Sequence, residues 1–262
     1  MTIVLIAVVL YLVAAGLLVA QVARGTAATR GWLGAAVVGV VLHAAAHGMG
    51  WQRAGGADLH FFAALSLVGL GMAALTAAYG ASGRMQALGV VVFPIAAASL
   101  AGYAITPGMA SPVGDWRLQL HAWCALLAYA TLAVAALLAL MLWLQERALR
   151  RRDYHRWMRA LPPLTELETL LFRTIAVGFV LLTATLLTGA LFVEDMFAQH
   201  LAHKTVFSVL SWLVFGGLLL GHWLRGWRGT TAVRWTLVAM ALLVLAFFGS
   251  KFVLELVLGY GV

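Results

Sequence analysis

The sequence predicts an all-α fold: a polytopic transmembrane helical bundle of about eight spans, with both termini on the outer, periplasmic side. Three observations carry this. Of the 262 residues 64% are hydrophobic and only 10% charged, against roughly 25% charged in an ordinary soluble domain. The apolar residues gather in eight runs, each near the roughly 20 residues that a helix needs to cross a hydrocarbon core of about 30 Å. Arginine and lysine are shared unevenly between the alternating links, and basic residues collect on the cytoplasmic side.

The first run, about 3–22, has no basic residue before it and no convincing small-residue cleavage site. It reads as a retained span rather than a signal peptide. Span two, about 32–51, contains LHAAAH at 42–47. Spans three and four, about 59–80 and 86–104, flank Arg84, and Pro94 is expected to kink span four. Span five, about 119–144, opens near a lone histidine, His121, and ends at Arg147, Arg150, Arg151 and Arg152. It therefore runs from outside to inside and orients every other span. A basic cytoplasmic loop, 145–170, follows; Pro162 and Pro163 break it, and TELE at 165–168 reads as the capped start of an interfacial lead-in to span six. Spans six to eight fall at about 171–193, 205–223 and 235–258. Gly178, Gly189, Gly216 and Gly217 are expected where helices approach closely.

This topology puts thirteen basic residues inside and four outside: Arg53, Arg117, Lys204 and Lys251. Trp32, Trp51, Trp116, Trp143, Trp223 and Trp235 fall near span ends, as interfacial aromatics do. The chain reads as a single integral membrane domain, 1–262. Its net charge of +8 comes from short links between apolar runs, which makes it a topology signal and not a nucleic-acid surface. The one cysteine, Cys124, lies inside span five and excludes an internal disulfide or a CxxC pair. No nucleophile-and-base motif, Walker-type loop or dinucleotide fingerprint is found, so no catalytic residue is assigned.

Histidine placement carries what chemistry there is. His43, His47, His60, His121, His200 and His203 fall in the outer half or on the outer face, His222 near the inner end of span seven, and His155 in the inner loop. Ionisable residues in spans are costly and usually face a cavity or partner, and histidine is a common metal and haem ligand. The competing reading of any one of them is an amphipathic anchor. His43 is 11 residues beyond Trp32, roughly 16 Å from the inner boundary. His47 is one turn further along the same face, level with His60 and His121. His222 is 17 residues after Thr205, roughly 25 Å from the outer boundary. It shares one side of span seven with Ser208 and Ser211, a polar stripe that helix packing also explains. Lys204 and Lys251 stand near the outer cluster; each is either a snorkelling lysine, the latter paired with Glu255, or a cation for a carboxylate.

The runs LHAWCALLAYATLAVAALLALMLWLQERAL, GFVLLTATLLTGALF and HKTVFSVLSWLVFGGLLLGHWLRGWRG resemble the cytochrome c assembly family of haem-handling membrane proteins (CcsA- and CcmC-like), in particular its short YpjD-like inner-membrane branch. The resemblance covers about 59–258 and is most specific over 118–255, with LHAAAH extending it weakly towards the N-terminus. It implies an inner-membrane protein that binds non-covalent haem b and assists cytochrome c assembly. Its partners would be haem, other cytochrome c maturation proteins and membrane lipid, with no nucleic acid. By position it implies His121 as an outer iron ligand, His222 as the inner-leaflet one and His43 as its possible partner, with His47, His60 and His203 as secondary candidates and Lys204 and Lys251 for the haem propionates. EDMFAQHLAHKTVFSVLSW stands where larger members carry a tryptophan-rich outer loop, so haem-lyase activity is not expected. Two further readings compete: an accessory subunit of a divalent-metal transport system, and a haem-free membrane chaperone. His43 and His222 either share a cavity or belong to separate groups, His43 in the outer group with His47 and His121, and His222 as a hydrogen-bonded helix end.

Overall fold

Among the described residues, eight helices form where the apolar runs stand. The computed structural model describes residues 1–24, 30–57, 59–81, 86–106, 115–152, 161–192 and 202–249, the side chains at 202, 203, 248 and 249 excepted. In chain order the helices are α1 (Thr2–Arg24), α2 (Gly31–Ala54), α3 (Phe61–Ala81), α4 (Gln86–Ile105), α5 (Trp116–Arg150), α6 (Leu164–Phe192), α7 (Ala202–Arg225) and α8 (Gly229–Val244). A single π-helical turn, Leu245–Gly249, extends α8. Among the described residues there is no strand, and eight helical segments are long and apolar enough to cross a membrane. Large apolar side chains lie outward along them: Val9 is 56% exposed, Val180 66% and Leu220 54%. Such surfaces belong in lipid.

The chain divides into two compact units. The first comprises residues 1–112 and 144–167. In it α1 packs on α2 and α4, and α3 on α4 and α2, around Tyr11, Leu18, Trp32, Phe93 and Leu100. Close approach is built in at Gly80, where a Cβ would overlap the Trp32 indole. Pro94 lies inside α4, which continues past it.

The second unit comprises residues 113–143 and 168–262. Leu132, Ile175, Phe215, Leu218 and Leu243 are buried in it. Gly178 on α6 admits α5, since a Cβ there would stand 2.5 Å from Leu132 Cδ2. Gly216 meets Phe179. Hydroxyls inside the spans bond back to their own helices, Thr174 to Leu170 O and Thr236 to Ala232 O, which satisfies them without water. Ser211 donates instead to Ala239 O and ties α7 to α8, so this part of the polar stripe serves packing.

Three expectations need correction. Helix α6 begins at Leu164, directly after Pro163, and runs unbroken to Phe192, so TELE does lead into span six, but Thr165 lies inside the first turn and does not cap it. Of that stretch, Glu168 accepts a bond from Gly229 N, placing a carboxylate at the start of α8 where the helix dipole favours it. Helix α8 starts at Gly229, six residues before the expected 235, because its first turns carry threonine and arginine. Trp32 is only 2% exposed: its ring fills the space left by Gly80 and meets Phe93, so it is a packing residue and not an interfacial anchor. Trp116 and Trp223 are exposed. His155, His200, Lys251, Glu255 and the His203 side chain lie outside the described residues.

Candidate functional site

The structure gathers His43, His47 and His60 within the first unit. His43 and His47, four residues apart on α2, point the same way and are buried. Both reach one hydroxyl on α3: Ser66 Oγ lies 2.9 Å from His43 Nε2 and 3.0 Å from His47 Nε2. On its other side His43 Nδ1 lies 3.2 Å from the Tyr11 hydroxyl on α1. The His47 ring stacks on Tyr103 at 4.3 Å, and His60 lies against the same Tyr103 at 5.9 Å. Gly50 makes room for Tyr103, whose hydroxyl would stand 2.5 Å from a Cβ there. Tyr103 also walls an open groove of about 690 Å³ with Ile3, Val4, Met49 and Arg53.

Hydrogen counting constrains this cluster. A serine hydroxyl has one proton to donate, so at most one of the two imidazoles receives it, and at least one must donate from its own Nε2–H. A neutral imidazole carries one N–H and one lone pair, and His43 has both nitrogens engaged.

His121 and His222 belong to the second unit and are built differently. His121 Nδ1, one turn into α5, lies 3.1 Å from Thr185 O and 3.2 Å from Thr188 Oγ1, both on α6. His222 Nδ1, near the end of α7, lies 2.8 Å from Trp227 O. Gly226, at φ 66°, turns the chain so that this carbonyl comes back to the helix end, and Phe172 covers the His222 ring at 3.5 Å. A carbonyl can only accept, so each Nδ1 carries the proton and each Nε2 keeps its lone pair. The two rings meet α6 thirteen residues apart, at Thr185 and Phe172, which is about 20 Å along the helix. They do not share a site. His43 and His222 fall in different units. Lys204, half-buried at the start of α7, already has an interaction of its own.

The sequence reading missed the groups that position these rings: Tyr11, Ser66 and Tyr103 in the first unit, Thr185, Thr188, Phe172 and Trp227 in the second. Ser66, Thr185 and Thr188 alone left a trace, each as a polar residue inside an apolar run.

Eight apolar helices with histidines set within and at the ends of the spans define a multi-pass membrane protein. Residues 4–258 match the family described as "Cytochrome C assembly protein". The chain belongs to that family. It is 36% identical over 152 residues to the inner membrane protein YpjD of Escherichia coli K12, a match covering 58% of this chain and 54% of that one. It is 40% identical over 148 residues to an uncharacterized 28.8 kDa protein in the nifR3-like 5′ region of Azospirillum brasilense, covering 56% and 54%. A cytochrome c biogenesis protein CcsA of Prochlorococcus marinus is 32% identical over 89 residues, 33% of this chain and 28% of that one. The chain thus matches about half the length of the first two relatives. No solved structure matches. Family and spans together make this a multi-pass inner-membrane protein.

Proposed function

We propose that the protein handles haem in support of cytochrome c assembly, with His121 and His222 as axial ligands at two separate non-covalent haem b sites. One observation carries this reading: each ring has its Nδ1 fixed by a main-chain carbonyl, a hydrogen bond that orients a metal-binding histidine and leaves Nε2 for the metal. Bound haem supplies an iron that takes an axial imidazole. The residues fit that role, and with a single cysteine the chain has no CxxCH for covalent attachment. His43 stands outside this ligand set, because ligation there would break a bond to Ser66 or Tyr11. Among the described residues no three His, Cys, Asp or Glu side chains come together to hold a metal ion, so the divalent-metal reading draws no support from the geometry.

Haem added to the purified protein in mild detergent is expected to give a Soret band that the double variant His121→Ala/His222→Ala lacks. An equal band in both would remove the proposed ligands.

The His121 end of α5 is assigned to the periplasmic side, since α5 ends on Arg147 and Arg150 and basic residues stay inside. In a Cys124→Ser background, a cysteine at Arg150 should label only from the cytoplasm and one at Ala54 only from the periplasm. Labelling of both from one side would reverse or abolish the assignment.

A further inference from the structure

We infer that Arg117 binds a carboxylate of the haem whose iron His121 holds, so that the start of α5 is a two-point haem site. This rests on the reading of His121 as an iron ligand. Arg117 precedes His121 by four residues on α5, so the two share one helix face, separated by about 6 Å along the axis. Its guanidinium carbon lies 5.7 Å from the Trp116 ring centre and 5.8 Å from that of Phe192. The two aromatic rings are 6.0 Å apart. Phe192 in turn stands one turn beyond Thr188, whose hydroxyl contacts His121. Helices α5 and α6 therefore face each other with Arg117 and His121 on one side, and Thr185, Thr188 and Phe192 on the other.

The arrangement suits a carboxylate. Aromatic faces hold a guanidinium by cation–π attraction while its N–H edges remain for bidentate bonding to a planar anion. Among the described residues no carboxylate pairs with this guanidinium: Asp115 Oδ1 accepts from the Arg117 backbone N–H, which secures the first turn of the helix. Exposed Trp116 adds an aromatic surface for a flat, apolar macrocycle. An arginine and a tryptophan at a span end also form an ordinary interfacial anchor. An anchor, however, would be indifferent to the charge on a haem edge.

The test titrates the purified full-length protein, in a His222→Ala background, with haem and with haem dimethyl ester, following the Soret band. The ester retains iron and ring and removes both negative charges. The parent should bind the free acid more tightly by about tenfold or more, the scale of a charge-assisted hydrogen bond. Arg117→Gln should erase that preference while leaving the His121-dependent band of the ester unchanged, and Arg117→Lys should restore part of it. A full preference in Arg117→Gln, with the band still lost in His121→Ala, overturns the Arg117 assignment and leaves His121 standing. Absence of any His121-dependent band overturns both.

Discussion

Replacing Ser66 with alanine is expected to destabilise the protein by about 2 kcal/mol, although the change removes one atom. A hydrogen bond deleted from a buried polar partner costs about 1–3 kcal/mol, and bonds between membrane helices average nearer 0.6 kcal/mol. Ser66 serves two rings, at 2.9 and 3.0 Å, with His43 and His47 0% and 1% exposed. The loss should therefore fall toward the upper range. Thermal unfolding in detergent measures it. The companion experiment uses His43→Phe/His47→Phe, where Ser66 has no imidazole to serve and Ser66→Ala should be nearly neutral. An unchanged unfolding transition for Ser66→Ala in the parent chain would contradict the account of this cluster.

The second large effect concerns haem. His121→Ala and His222→Ala should each remove one class of bound haem, and the losses should add. The two rings meet α6 about 20 Å apart, at Thr185 and at Phe172. One iron holding two imidazoles needs nitrogens only about 4 Å apart, from coordination bonds near 2 Å. Sites this far apart with no common partner behave independently. Haem content by pyridine haemochrome should therefore be highest in the parent, intermediate in either single variant and negligible in the double variant. Complete loss in both single variants would point to one shared iron and contradict the separation.

Much of the fold was legible because bilayer thickness dictates run length. Spans two, three and four begin and end within about three residues of their expected bounds. The errors have local causes. Hydropathy falls where a helix continues into polar sequence, as α5 does to Arg150 and as α8 does from Gly229. Trp32 sits where an interfacial tryptophan would, and only the missing Cβ of Gly80, on another helix, turns it inward.

The histidines divide in the same way. The spacing of His43 and His47 shows in the sequence that they share a face. That Ser66 joins them could not be read, because the contact depends on the rotation of α3 against α2. A hydrogen-bonded helix end is one of the two readings the sequence offers for His222, and the structure supplies Trp227 O as the partner. The left-handed Gly226 that brings the carbonyl round is a conformation glycine adopts readily, but no spacing rule would have connected it to His222. Arg117 shows in the sequence only as a charge for topology, since its aromatic partner Phe192 is distant along the chain.

The most direct test of the central claim is ligand rescue at His121. In the His222→Ala background, His121→Gly should bind haem weakly and without the spectrum of the parent. Exogenous imidazole should restore that spectrum by supplying the missing axial nitrogen. A His121→Gly protein that binds haem with the parent spectrum before any imidazole is added would contradict the assignment of His121 as an iron ligand.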